Sequence, residues 1–149
     1  MEKLTEEQRK KRQQENEAKK EYLQSYKQYK QKAKRLEEQL EELRLGKMFP
    51  SVGMSDMPGA HNQKDLSDYM VQYDRIETNI IKARKDAIIR YEEVRQQIEQ
   101  LEDENEKRVL TLRYLKSYGW ERICVEMEYS WRQIHYIHSR ALEHFNMIA

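Results

Sequence analysis

The apolar residues between positions 21 and 102 recur with helical spacing in two long segments. In residues 21–45 they repeat at alternating intervals of four and three, at Tyr22, Tyr26, Tyr29, Ala33, Leu36, Leu40 and Leu43. In residues 65–102 every seventh position is apolar without interruption, at Leu66, Tyr73, Ile80, Ala87, Val94 and Leu101. Such repeats are typical of long helices that pack against another helix. We therefore expect two long helices that form a coiled-coil-like hairpin.

The segments around these two helices have different patterns. Residues 1–20 are polar and charged without an apolar seam, which predicts a disordered segment or a frayed helix. Residues 46–64 hold both prolines and three of the four glycines, which predicts a long loop with Gly46 as the C-cap of the first helix. The methionines of this loop fit two interpretations: the loop packs its own apolar residues, or it docks onto a partner.

The pattern changes again in residues 103–149, where short amphipathic segments are separated by turn residues. Ser130 and Gln133 have the spacing of a capping box, so a helix is expected to start at Trp131. Glu128 stands at a turn position where glycine is usual, and a left-handed residue there costs on the order of 1 kcal/mol. The segment predicts a helix-turn-helix, whose crossing point would be formed by Ile123, Cys124, Met127, Tyr129, Ile134 and Ile137.

Several residues of the last helix fall outside its apolar face and are candidates for contact with DNA. In a helix-turn-helix the N-terminal part of the second helix enters the major groove, where arginine pairs with guanine and glutamine with adenine. Three histidines, at 135, 138 and 144, have no acidic third ligand beside them, so packing or phosphate contact is favoured over a zinc site. The predicted DNA-binding residues are Ser130, Trp131, Arg132, Gln133, His135, Tyr136, Ser139 and Arg140.

The composition supports a helical interpretation and narrows the classes of function. Apolar residues make up 38% and charged residues 37% of the chain, which favours an elongated all-α protein over one compact globule. Cys124 is the only cysteine, so neither an internal disulfide nor a cysteine-based metal site is expected. A glycine-rich phosphate loop and a nucleophile motif are both missing, so we predict no enzyme activity and no cofactor. Without a signal peptide or an apolar span, the chain is expected in the cytoplasm, away from membranes.

The charge does not by itself favour nucleic acid. The net charge is +1, and residues 103–149 hold seven Lys and Arg against seven Asp and Glu. Phosphate neutralisation supplies most non-specific affinity for DNA, so a neutral domain binds weakly alone. We therefore expect a homo-oligomer formed through the long helices, or docking onto a larger assembly already bound to DNA.

The run VLTLRYLKSYGWERICVEMEYSWRQIHYIHSRAL resembles sigma factor region 4, with its V-L-x-L-R-Y helix, its W-x-x-I helix and its closing R-A-L. The whole chain looks like the phage regulators of the ArpU and RinA type, which activate late genes. This resemblance implies a DNA-binding transcription regulator of phage or prophage genes that acts with the host RNA polymerase. It also implies that Trp131, Arg132, His135 and Tyr136 face the major groove. Two other classes fit the pattern: a small-terminase-like DNA packaging protein, and a coiled-coil adaptor that binds only protein.

Overall fold

The described part of the chain folds into five α-helices without a strand. The structure is a computed structural model that describes residues 3–48 and 61–147, with side chains over 3–46 and 65–147. The helices are α1 (Glu6–Met48), α2 (His61–Glu99), α3 (Glu104–Leu110), α4 (Trp120–Met127) and α5 (Trp131–His144). The predicted all-α fold is therefore confirmed.

The first helix is longer than the sequence pattern predicted. It begins at Glu6, next to a capping box in which the Gln8 N–H donates to Thr5 Oγ1 (3.3 Å) and the Thr5 N–H to Gln8 Oε1 (3.0 Å). Residues 6–20 are thus helical rather than a separate polar segment. Gly46 is not a C-cap, because α1 continues to Met48. One exposed glycine costs a helix only about 1 kcal/mol. Most of the predicted 46–64 loop lies outside the described residues.

The chain divides into two compact units, one of which is Tyr29–Asp86. This unit contains parts of both long helices. Two of the predicted seam residues, Ala33 and Ile80, are buried, and so is Ala83, whereas the seam residue Leu66 is 51% exposed. The Arg84 Nε on α2 donates to Glu37 Oε1 on α1 at 2.9 Å. The predicted packing of α1 against α2 is confirmed.

The other unit joins Met1–Gln28 to Ala87–Ala149. Leu23 of α1 is completely buried in its core, although it lies outside the predicted seam. The Tyr22 ring packs against Phe145 at a centroid distance of 6.1 Å, and the Arg90 guanidinium lies 4.6 Å from the centroid of the same ring. The N-terminal part of α1 therefore shares one apolar cluster with the later helices, together with Val94, Ile98, Leu101, Leu110, Tyr114, Leu115, Ala141 and Leu142.

A π-helical turn, Thr111–Leu115, continues α3 without a break. The Lys116 N–H donates to the Thr111 carbonyl at 3.0 Å, which is the five-residue spacing of a π-turn. Ser117 then adopts a left-handed conformation with φ of 58°, and the chain turns toward α4. Three side chains of the turn point into the core: Leu112, Tyr114 and Leu115.

Candidate nucleic-acid interface

A three-residue turn, Glu128 to Ser130, connects α4 to α5. Glu128 has φ 57° and ψ 39°, the left-handed conformation that the sequence pattern required at this position. The Tyr129 N–H donates to the Cys124 carbonyl at 3.2 Å and so closes the end of α4. A left-handed residue with a side chain costs about 1–2 kcal/mol, so the packing of α4 and α5 must offset this strain.

A capping box fixes the start of α5. Ser130 is the N-cap, and its Oγ accepts the Gln133 N–H at 3.2 Å. In return the Gln133 Oε1 accepts the Ser130 N–H at 3.0 Å. These bonds satisfy backbone donors that the first turn of a helix otherwise leaves free. The helix therefore begins at Trp131.

The crossing of α4 and α5 is apolar and closely packed. Ile123 and Ile134 are completely buried, and Met127 is nearly so. Val109 and Leu112, from α3 and its π-helical turn, cover the same cluster from the other side. The remaining predicted crossing residues are half-buried and pack against it: Cys124, Tyr129 and Ile137.

Polar contacts from α3 tie down the connecting turn. The Asn105 Nδ2 donates to the Tyr129 hydroxyl at 3.3 Å, and the Arg108 guanidinium donates to the Glu126 carbonyl at 3.4 Å. Tyr129 lies in the connecting turn, and Glu126 lies in the last turn of α4. The angle between α4 and α5 is thus held by a third helix as well as by their own contact.

One face of α5 stays open to solvent. Arg132, Tyr136, Ser139 and Arg140 are all exposed, and Tyr136 keeps 64% of its surface accessible. The Arg140 guanidinium lies 5.8 Å from the centroid of the Tyr136 ring, so these two side chains are neighbours along the helix. The face carries two guanidinium groups with a permanent positive charge, one phenol and one aliphatic hydroxyl. All four groups can donate hydrogen bonds.

Three of the predicted DNA-binding side chains have contacts near the start of α5. The Ser130 Oγ and the Gln133 Oε1 are both occupied by the capping box. The His135 ring is half-buried and lies between two indoles, at centroid distances of 4.5 Å from Trp120 and 4.4 Å from Trp131. These three side chains therefore support the start of α5.

His138 and Tyr114 form a buried polar pair beneath α5. The Tyr114 hydroxyl and His138 Nε2 share a hydrogen bond of 2.8 Å. Burial, with smaller contributions from Lys20, His135 and Arg113, lowers the pKa of His138 to about 4. Burial likewise raises the pKa of Tyr114 to about 12. Both groups are neutral at physiological pH, so His138 serves packing and contributes no charge to a phosphate.

Side chains from distant parts of the chain hold the C-terminal end of α5. The Lys19 ammonium donates to the Leu142 carbonyl at 2.7 Å, and Arg12 forms an ion pair with Glu143. A lysine in this position satisfies carbonyls that have no partner in the last turn of a helix. Burial lowers the pKa of Lys19, against the raising effect of Glu15.

A buried carboxylate from α3 anchors the same end of α5. Glu106 is 3% exposed, and its Oε1 lies 2.9 Å from His144 Nδ1. Its Oε1 also lies 3.9 Å from Arg140 Nε. These residues line an open cavity of about 590 Å³ together with the segment 100–103. Glu106 therefore contacts the Arg140 guanidinium on its buried side, while the rest of the Arg140 side chain stays exposed to solvent.

Sequence reasoning did not identify Arg12, Lys19 or Glu106 as supports of α5. The bond between Lys19 and Leu142 joins residues 123 positions apart, and the bond between His144 and Glu106 joins residues 38 positions apart. Spacing within a short stretch of sequence therefore predicts neither bond. The only hint available was the position of Leu23, an apolar residue outside the heptad seam. Such a residue indicates a second neighbour for the helix.

The described residues contain neither a cluster of metal-binding side chains nor a helix that could span a membrane. Across residues 3–48 and 61–147, no three His, Cys, Asp or Glu side chains are grouped so that they could hold a metal ion. Over the same ranges, none of the helices is both long and apolar enough to cross a bilayer.

The sequence matches a known protein family over much of its length. Residues 50–146 match a family described as a protein of unknown function (DUF1492). No curated protein and no solved structure matches the chain. The matched region includes α2 and the whole of α3, α4 and α5. Because it covers well over half of the sequence, the chain belongs to the DUF1492 family.

Proposed function

We propose that this protein is a sequence-specific DNA-binding regulator of transcription, with α5 as its recognition helix. The observation that carries the proposal is the open face of α5, at the end of a helix-turn-helix whose turn and cap are both fixed by hydrogen bonds. That face presents Arg132, Tyr136, Ser139 and Arg140 to solvent. An α-helix with such a face fits the major groove of duplex DNA.

Each exposed side chain has a distinct chemical capacity. Arg132 lies in the first turn of α5, the part that contacts base edges in this class of domain, and its guanidinium suits the two acceptors of guanine. Ser139 and Arg140 lie two turns later and suit phosphate oxygens or base edges. Gln133 is assigned to the capping box, because reading adenine with both amide atoms would require it to release the Ser130 N–H.

The neutral charge of the C-terminal helices leads to a second part of the proposal, which concerns the oligomeric state. Residues 103–149 are electrically neutral, so a single copy gains little from the phosphates. Leu66, Met70 and Ile81 fall on one face of α2 by helical spacing and are 51%, 46% and 61% exposed, and exposed apolar residues that share a face mark an interaction surface. We propose that the chain works as a homo-oligomer joined through its long helices.

The biological setting follows from the resemblance to the ArpU and RinA regulators. In that setting the protein acts on phage or prophage genes in the cytoplasm of a bacterial host, as an activator together with RNA polymerase. Two other roles are compatible with long helices and a helix-turn-helix: a small-terminase-like packaging protein, and an adaptor that binds only protein. The experiment below separates the three.

The test is selection of bound duplexes from a random library with the full chain, at moderate salt. Three proteins are compared: the wild type, Arg132→Ala, and Arg44→Ala, which removes another exposed arginine from α1. We expect the wild type and Arg44→Ala to enrich the same motif. Arg132→Ala should lose discrimination at one base pair, by about 1–3 kcal/mol.

Each other outcome has a definite meaning. An unchanged motif with Arg132→Ala would remove α5 from its assigned role. A wild type that enriches nothing and binds no duplex even at low salt would favour the adaptor. Ring-shaped oligomers in light scattering, with binding that lacks a sequence preference, would favour the packaging protein.

A further inference from the structure

Trp131 is exposed to an unusual degree for a tryptophan. It occupies the first position of α5 and keeps 54% of its surface accessible. Tryptophan side chains are mostly buried on average, because exposing the indole forgoes a large hydrophobic gain. The crossing of α4 and α5 does not require the exposed part of this ring, since its apolar cluster is formed by other residues.

The exposed indole is held in place by a stack of rings. Trp131 lies 4.4 Å from His135, and His135 lies 4.5 Å from Trp120, both between ring centroids. The Arg113 guanidinium lies 4.4 Å from the centroid of the Trp120 ring. A side chain supported in this way loses little conformational entropy when it binds. The stack therefore presents one rigid apolar edge at the start of the helix.

The neighbours of Trp131 identify the kind of surface that it meets. Arg132, in the next position, and Ser139, two turns later, are exposed and polar. An exposed indole directly followed by an arginine fits a surface that is polar with small apolar spots, and the major groove has this character.

We infer that Trp131 reads the C5-methyl group of thymine in the major groove. This inference rests on the proposed function, in which the first turn of α5 enters that groove. Among the unmodified bases, only thymine presents a methyl group there, and apolar side chains recognise it by contact. The indole gives the helix a preference for A·T pairs at one or two positions, in addition to the guanine contact assigned to Arg132.

The experiment replaces thymine by deoxyuridine, which removes the methyl group and keeps every hydrogen-bonding atom. Duplexes carrying the selected motif are prepared with one substitution at a time, and dissociation constants are measured by fluorescence anisotropy. For the wild type we expect about fourfold weaker binding at each contacted thymine, the value of burying one methyl group. Trp131→Ala should bind both forms of these duplexes equally, and Trp131→Phe should retain part of the difference.

Two control proteins make the result specific. Val125→Ala shortens another exposed apolar side chain, on α4, and should keep the full difference between thymine and deoxyuridine. His135→Ala removes the ring that supports Trp131 and should reduce the difference without abolishing it. Circular dichroism of each variant shows whether it is folded. Trp131→Gln replaces Trp131→Ala if the alanine variant is not.

The outcomes separate this inference from the function on which it rests. A wild type that keeps its sequence preference but binds deoxyuridine and thymine equally at every position would overturn the role of Trp131 and leave the DNA-reading function intact. A difference that persists in Trp131→Ala would assign the methyl contact to another residue and likewise overturn it. A wild type without any sequence preference would overturn both.

Discussion

Replacing Glu128 by glycine should make the protein more stable, although it removes a side chain. Glu128 has φ 57° and ψ 39°, a conformation that costs a residue with a Cβ about 1–2 kcal/mol. Glycine avoids this cost, but it loses about 0.5–1 kcal/mol more conformational entropy than alanine on folding. The difference predicts that Glu128→Gly raises the free energy of unfolding by about 0.5–1 kcal/mol.

Two matched variants isolate the backbone effect. Glu126→Gly makes the same chemical change two residues earlier, inside α4, where the backbone is helical and the side chain is exposed. It should lower the free energy of unfolding by about 0.5–1 kcal/mol. Glu128→Ala removes the same carboxylate but keeps the Cβ in the left-handed conformation, so it should give no comparable gain.

The assay is urea unfolding followed by far-UV circular dichroism, on all three variants and the wild type. Opposite signs for the two glycine variants would support the reasoning. If Glu128→Gly destabilised the protein as Glu126→Gly does, the turn would not be strained. If Glu128→Ala stabilised it as much as Glu128→Gly, charge rather than backbone conformation would be the cause.

Two further predictions concern the supports of α5. Lys19→Met keeps the aliphatic stem but removes the bond to the Leu142 carbonyl, so it should lower the free energy of unfolding in urea by about 1 kcal/mol. Lys10→Met, on an exposed part of α1, should leave that free energy unchanged. An equal effect of the two would show that Lys19 adds no bond of its own. The pKa of His138, about 4 when folded, lies below the ordinary value of about 6.5, so the unfolded chain takes up the proton first as the pH falls. Stability that is present above pH ~6.5 should therefore decrease by about 2 kcal/mol between pH ~7 and pH ~5, and His138→Gln should flatten that part of the profile. An unchanged slope in His138→Gln would show that His138 is not the responsible group.

The helix-turn-helix was predictable because its determinants are local. Ser130 and Gln133 are three residues apart, and Glu128 lies just before them, so a short stretch of sequence contains the turn, the cap and the strained position. The apolar residues Ile123 and Ile134 follow the period of a helix on either side. These local determinants are enough to predict the turn and the start of α5, although Val109 and Leu112 from outside the stretch also pack against the crossing.

The N-terminal part of α1 was not predictable in the same way. Beside the apolar residues Tyr22 and Leu23, this part of α1 reaches the end of α5 through Lys19 and Arg12. Their charged ends give the sequence of this packed face the pattern of a solvated one. The directions of Gln133 and His135 were also not predictable, because the helical period places both outside the apolar face. Whether a side chain there turns outward depends on the partners it finds, here the Ser130 N–H and two indoles.

The bond between Lys19 and the Leu142 carbonyl also bears on how the protein is made. A ribosome releases Lys19 some 123 residues before its partner in α5, so the core that contains Leu23, Leu142 and Phe145 cannot form until α5 and Phe145 have been synthesised. Contacts of such long sequence separation slow folding and leave apolar side chains uncovered in the meantime. A nascent chain of this protein can pack part of α1 against α2 at an early stage, but it leaves the Leu23 side of α1 uncovered until α5 has been made. A C-terminal fragment that lacks α1 would keep the same apolar surface permanently exposed.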